Sequence, residues 1–288
     1  MAELPPGWVW LAGDRLLAWR GTAAPVHGFT SRRGGFSHPP FASLNVSTRH
    51  GDAPEAVWEN IRRIREDLGI SSSWTMLHQV HGNEVVCIGS EERHVDTRGD
   101  ALLTDVPGKT LAVGVADCTP ILAWTTQEAA HEPGSRVAAI HAGWRGTAAQ
   151  VAVRTLDHAK DIWGVSPGAW RVLLGPSARS CCYEVGEEVV EALGDTIADL
   201  GGLHAADSTG SPPWLDRSHG RPRVSPAVVA RAQLRAAGVP PEHIHDCGIC
   251  TLCGAETWFS YRRDGVHSGR AVGVIVCPDL LPTKLATR

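Results

Sequence analysis

The sequence predicts a mixed α/β fold, and three features carry that expectation. Short segments rich in Val, Ile and Ala, bounded by Gly, Pro or Ser, recur along the chain as strand patterns. Longer stretches with apolar residues at helical spacing lie between them. A chain of 288 residues that is 43% hydrophobic has enough apolar surface for one large core or two small ones.

Taken in order, the first clear element is the run APEAVWENIRRIREDLG, Ala53 to Gly69. It sets Val57, Ile61, Ile64 and Leu68 on one helical face and stops at a glycine suited to a left-handed cap. NEVVCIGS, KTLAVGVADC, SRVAAIHAG, WRVLLGPS and GRAVGVIVC read as strands, several with apolar residues on both faces, as in a sheet covered on each side. The spacing predicts a second helix from about Thr147 to Trp163, with Thr147 as its N-cap. Residues 201–223, GGLHAADSTGSPPWLDRSHGRPR, read as a long surface loop. The roughly 65 residues beyond it would need a complete core to stand apart, so the loop is read as an excursion from one domain spanning residues 1–288.

Charge is close to balanced: 27 Lys and Arg against 31 Asp and Glu give −4, with no long run of either sign. That argues against nucleic-acid and membrane-surface partners. MAELPPGWVWLAGDRL carries an acid and prolines where a signal peptide needs a basic start and an unbroken apolar segment, and no run reaches membrane-spanning length. The expected address is therefore the cytoplasm, where eight cysteines read as packed thiols, metal ligands or nucleophiles rather than a disulfide scaffold.

The residues that bear chemistry sit at predicted strand ends. His81 lies in LHQVHGNEV just before a strand, Cys118 ends LAVGVADC, and His141 ends VAAIHAG before a glycine turn. Strand ends that open into turns are common places for functional side chains. Two imidazoles and a thiolate suit zinc and would leave a fourth position for water or substrate. Singly, each His is more often a hydrogen-bonded core partner, and a strand cysteine more often a packed hydrophobe. Cys118 with His141 as its base also fits a thiol hydrolase or amidase. The separations of 37 and 23 residues leave these readings open.

The segments FASLN and GD with Asn60, LHQVHGNEV, DALLTD, VADCTPIL, AAIHAGWRGT, LGPSARSCCYEVGEEV and WFSYRRDG…GRAVGVI together resemble the YfiH/FAMIN family. That family has long been labelled a laccase domain or multicopper polyphenol oxidase and is associated with purine nucleoside phosphorolysis. The matches run from about Phe41 to Ile275, and HAGWRG together with ADC.P is highly specific. The resemblance implies a single α/β domain with mixed sheets layered between helices. It implies zinc held by His81, Cys118 and His141, and attack of phosphate on a purine nucleoside to release base and ribose 1-phosphate. Adenosine deamination and methylthioadenosine phosphorolysis are implied alongside it. Relatives place a His one position earlier than Arg49-His50 before Gly51-Asp52, a departure that bears on the rim of the pocket.

Within that scheme Arg145, between Gly143 and Gly146, offers a guanidinium to phosphate. Arg49 and Arg262 are further cations, and Asn45 and Gln79 are amides that can hold hydroxyls or base edges, although turn and cap duties explain such amides more often. The H-x-E and P-C-x-x-C signature of zinc deaminases is absent, which makes deamination secondary. Only Met1 and Met76 are available as a weak axial copper ligand, and His243 with His245 is the sole H-x-H pair. Polyphenol oxidation is therefore disfavoured, although the same three ligands would take up Cu²⁺ in vitro. Cys247, Cys250 and Cys253 have C-x₂-C-x₂-C spacing but lack the fourth cysteine of an iron–sulfur run, with Thr257 in its place. The spacing leaves a second metal there open, with plain thiols the favoured reading, and the adjacent Cys181 and Cys182 are read as packed or locally exposed thiols.

Overall fold

The computed structural model describes residues 3–21, 24–90, 97–125, 135–198 and 212–278. The chain opens with β1 (Trp8–Leu11), β2 (Leu16–Trp19), β3 (His27–Thr30), α1 (Pro54–Leu68), β4 (Trp74–Thr75), β5 (Val85–Cys87), β6 (Ala101–Thr104) and β7 (Thr110–Val115). It continues through β8 (Thr119–Thr125), β9 (Val137–Ala142), α2 (Trp144–Ala148), α3 (Val151–Trp163), β10 (Trp170–Leu174) and α4 (Glu187–Asp195). The last elements are β11 (Leu215–Asp216), β12 (Arg223–Val224), α5 (Pro226–Ala236), β13 (Ile244–Asp246), α6 (Tyr261–Asp264) and β14 (Ala271–Val276).

Two six-stranded sheets form the centre, in the orders β1-β2-β3-β14-β7-β4 and β13-β10-β8-β9-β6-β5. Both are mixed. The first is antiparallel except for β4 beside β7, and the second except for β5 beside β6 and β13 beside β10. The two-residue period of the strands assigns each face to a layer. Leu102, Leu122, Trp124 and Ala139 of the second sheet meet Leu17, Phe29, Leu111 and Val113 of the first between the sheets. Their neighbours Leu103, Ile121, Ala123 and Ala138 face outward against Leu156 and Ala159 of α3 and Ala230 and Leu234 of α5. On the far side of the first sheet, Ala112, Val272 and Val274 pack against Ile64 of α1. The result is a helix, sheet, sheet, helix stack with one apolar layer between the sheets and another under the helices on each outer face, as expected of mixed sheets layered between helices. Strands buried on both faces follow directly: β8 and β9 are buried at every residue.

The predicted first helix forms as α1, with Ala53 before it and Gly69 ending it at φ 67°, where a residue without Cβ carries no penalty. The second does not form as one piece. Gln150 adopts φ 56° and divides it into α2 and α3, so Thr147 is a buried residue inside α2 rather than an N-cap. Cys118 does not end a strand either: β7 stops at Val115, and Cys118 sits in the bend immediately before β8. Of the predicted 201–223 loop, residues 201–211 lie outside the described residues; the remainder contains the β11–β12 hairpin, where Leu215 pairs with Val224. Among the described residues, no helix is long and apolar enough to cross a membrane.

Candidate active site

Three elements bring His81, Cys118 and His141 together. His141 is the penultimate residue of β9, paired with Pro120 at the start of β8, so Cys118 lies close to it in the preceding bend. His81 arrives from the β4–β5 connection at φ 60°, a left-handed conformation that few non-glycine residues adopt and that often marks function. Their ligand atoms, one per residue, all lie within 4.8 Å of one another. The imidazoles of His81 and His141 meet edge to face with centroids 4.8 Å apart, and Cys118 Sγ is 4.0 Å from His81 Nδ1.

A buried carboxylate holds this arrangement in place. Asp100, fully buried at the entrance to β6, accepts the backbone N–H groups of Val80, His81 and Gly82 at 3.3, 2.9 and 2.8 Å. The same carboxylate lies 2.8 Å from His141 Nδ1. It therefore fixes the strained turn at His81 and orients the ring of His141, leaving Nε2 of His141 as the nitrogen free to bind a ligand. A carboxylate behind a histidine is the usual support of a metal-binding imidazole. Gly143 completes the fit: a Cβ there would stand 3.1 Å from both Cys118 Sγ and His81 Nδ1.

Electrostatics couple the three groups. Burial would push the Cys118 thiol up, but His141 and His81 bring it down to about 6. Burial would likewise lower His141, yet the Cys118 thiolate and Asp100 raise it to about 9. Burial raises Asp100 too, but hydrogen bonds from His141 and the Gly82 and His81 amides hold it below the ordinary carboxylate value. At neutral pH the metal-free pair is thus a thiolate beside an imidazolium. A cation of higher charge that displaces the imidazolium proton would meet two imidazole nitrogens and a sulfur already ionised.

The trio opens into a cleft of about 1230 Å³, also lined by Arg49, Gln79, Arg145 and Arg262. The Arg145 guanidinium carbon lies over the Trp144 ring, 4.2 Å from its centroid, and that of Arg262 over the Tyr183 ring at 4.9 Å. Arg49 Nη2 is 3.5 Å from His78 Nδ1. None of these three guanidiniums is among the ion pairs formed by the described residues. Three guanidiniums lining one cleft on a chain of net charge −4 bring positive charge to that cleft.

The two amides expected to hold substrate are already engaged. Asn45 is 1% exposed, donates to Ser47 O and Asp52 Oδ2, and accepts from the N–H groups of Ser47 and Arg270; it shapes its loop and does not line the cleft. Gln79 lines the cleft, but its amide exchanges two hydrogen bonds with the backbone of Gly114. Sequence reasoning missed Asp100, which stood in plain view in GDALLTD, and also Tyr183, Tyr261 and Arg270 of the cleft wall. It missed Asp117 as well, held at φ 85° beside Cys118, whose carboxylate accepts from Thr251 Oγ1, Ser260 Oγ and the N–H of Arg262. The C-x₂-C-x₂-C run is split by the fold: Cys247 is buried in the core between the sheets, its thiol pushed up to about 12 by burial, while Cys250 and Cys253 turn toward Cys181 and Cys182.

Comparison with known proteins agrees with this architecture. Residues 26–278 match the family described as multi-copper polyphenol oxidoreductase laccase. Purine nucleoside phosphorylase YlmD of Geobacillus stearothermophilus is 34% identical over 266 residues, covering 88% of this chain and 90% of the relative. Purine nucleoside phosphorylase YfiH of Escherichia coli is 35% identical over 235 residues, covering 82% and 87%. The crystal structure of Geobacillus stearothermophilus YlmD superposes with a TM-score of 0.82 at 31% identity, over 96% of this chain and all of that one. The chain therefore belongs to the multi-copper polyphenol oxidoreductase laccase family, together with relatives of the YlmD and YfiH type that carry the name purine nucleoside phosphorylase.

Proposed function

We propose that this chain is a zinc-dependent purine nucleoside phosphorylase, which takes adenosine, inosine, guanosine or methylthioadenosine with phosphate to the free base and the ribose 1-phosphate. The observation that carries the reading is the convergence of His81, Cys118 and His141 within 4.8 Å at one side of a cleft whose Arg49, Arg145 and Arg262 guanidiniums form no ion pair among the described residues. The donor set fits zinc: two imidazoles and a thiolate, a carboxylate behind one imidazole, and an open side toward the cleft. When bound, the ion supplies Lewis-acid charge to a substrate oxygen or a water.

The other duties fall to the chain itself. Arg145, Arg49 and Arg262, which all line the cleft, bind the phosphate dianion through charge-assisted hydrogen bonds. The half-exposed ring of Tyr261 gives the same cleft an apolar face against which a purine can stack. Asp100 keeps His141 Nδ1 protonated and its ring fixed. The likeness to relatives named for this reaction supports the same assignment, and a cytoplasmic enzyme whose substrates are nucleosides and phosphate follows from it. Deamination of adenosine is a side activity in this scheme. Chromatography of products from inosine and adenosine, with and without phosphate, tests it: base release should require phosphate, and conversion of adenosine to inosine that runs faster without phosphate would overturn the assignment.

One observation favours a second reading. Asp100, His141 and Cys118 also stand in the order of a carboxylate, base and thiolate triad, with the thiol brought down to about 6. A hydrolase of that kind would ignore chelation and die on alkylation. Multi-copper chemistry has less support. Among the described residues the metal-competent groups are one His₂Cys set and one set of four cysteines, without the further histidine sites a coupled copper cluster needs.

A further inference from the structure

Four thiols that the proposed reaction does not use are gathered on one side of the fold. Cys181 and Cys182 lie in the turn after β10, and Cys250 and Cys253 in the turn after β13. The two turns are joined through their backbones: Ser177 N–H donates to Ile249 O at 3.2 Å, and Thr251 N–H donates to Ser177 O at 3.1 Å. Cys253 Sγ is 3.6 Å from Cys181 Sγ and 3.2 Å from Cys182 Sγ, and all four sulfurs lie within 4.8 Å of one another.

These spacings match a single tetrahedral ion. Four sulfurs at a Zn–S distance of about 2.3 Å have edges of about 3.8 Å. An iron–sulfur cluster would need its thiolates spread around several irons. Vicinal cysteines from one turn and a C-x₂-C pair from another supply four ligands and leave no open position, which is the signature of a structural site. The sulfurs are also prepared for it. The backbone N–H groups of Cys253, Arg179 and Leu252 donate to the Cys250 sulfur. Such amide donors are the usual outer support of metal-bound thiolates.

The geometry points to a second metal centre at Cys181, Cys182, Cys250 and Cys253, which takes one zinc ion as a closed tetrathiolate and braces the wall of the cleft. Binding forms four Zn–S bonds and releases the thiol protons to solvent, with no change of oxidation state. The bracing follows from what is attached. Tyr183, next to Cys182, lies under Arg262 in the cleft. Thr251, next to Cys250, donates to Asp117 at 2.6 Å, and Asp117 O accepts from Ala178 N–H at 2.8 Å. One ion would thus hold both the turn before Cys118 and the arginine-bearing wall.

The test uses the full chain, purified under reducing conditions, and counts metal by elemental analysis and by the charge-transfer band of added Co²⁺. The proposal expects the His81→Ala variant to retain a Co²⁺–thiolate band of tetrahedral type, and Cys253→Ser to lose one equivalent of bound metal relative to the parent. A Cys253→Ser protein with the parent's metal content and band would overturn it. Should that variant fail to fold, peptide mapping of the parent decides. Protection of all four cysteines from N-ethylmaleimide until a chelator is added supports the site. Free alkylation of the zinc-loaded protein, or a Cys182–Cys253 disulfide that accounts for the protection, contradicts it.

Discussion

His81, Cys118 and His141 meet at the edge of a cleft in front of a buried carboxylate, whereas Cys181, Cys182, Cys250 and Cys253 meet across two joined turns supported by peptide amides. The first group mixes nitrogen with sulfur and keeps an open side. The second is all sulfur and closed. Both are assembled from residues far apart in sequence, but only the first has a charge network around it that shifts protons at neutral pH. The contrast teaches that residue type alone does not set two clusters apart: the groups behind the side chains and the space in front of them do.

Three experiments would break or sharpen that contrast. The largest effect belongs to Asp100→Asn, which leaves all three ligands in place while removing the charge behind His141. Loss of such a support costs about 10–100-fold in metal affinity or activity. Metal titration and steady-state kinetics would measure it, with metal at the four-cysteine group unaffected; an unchanged affinity would show that the carboxylate only fixes the turn. Next is Arg145→Ala. A hydrogen bond to a charged group contributes about 1.5–3 kcal/mol, or roughly 10-fold or more in KM for phosphate, with little change for the nucleoside. A rise confined to the nucleoside KM would place the arginine at the base or sugar instead.

The smallest effect is a shift in reactivity rather than a loss. In metal-free protein, alkylation of Cys118 by iodoacetamide should rise with pH and reach half its limiting rate near pH 6, because the thiolate forms as pH climbs through that value. The ordinary thiol midpoint lies near 9. Zinc should suppress the reaction across the range. A midpoint at the ordinary value would mean that His141 does not stand close enough to stabilise the thiolate.

Much of the fold was legible because burial on a sheet or helix face leaves a period in the sequence. α1 and the five predicted strands follow that period, and Gly69 caps the helix where expected. The division between α2 and α3 left no such mark, because it depends on one residue, Gln150, taking a left-handed conformation. The site was legible in the three residues that meet there and not in the group behind them. His81, Cys118 and His141 were suggested by residue type and singled out by the family motifs they stand in, but Asp100 acquires meaning only from the amides and imidazole it faces. Asn45 misled for the converse reason: its amide is fully occupied within its own neighbourhood, which composition does not reveal. The approach of Cys181 and Cys182 to Cys250 and Cys253 depends on β10 pairing with β13, a contact between segments about 70 residues apart.

The most direct measurement of the central claim is phosphate-dependent release of base from inosine by one preparation before chelation, after it, and after zinc is restored. The account predicts that base release disappears with the metal, returns with zinc, and does not return in a His141→Ala variant that still carries metal at its cysteine group. Release that survives complete removal of metal, yet stops when Cys118 is alkylated, would contradict it.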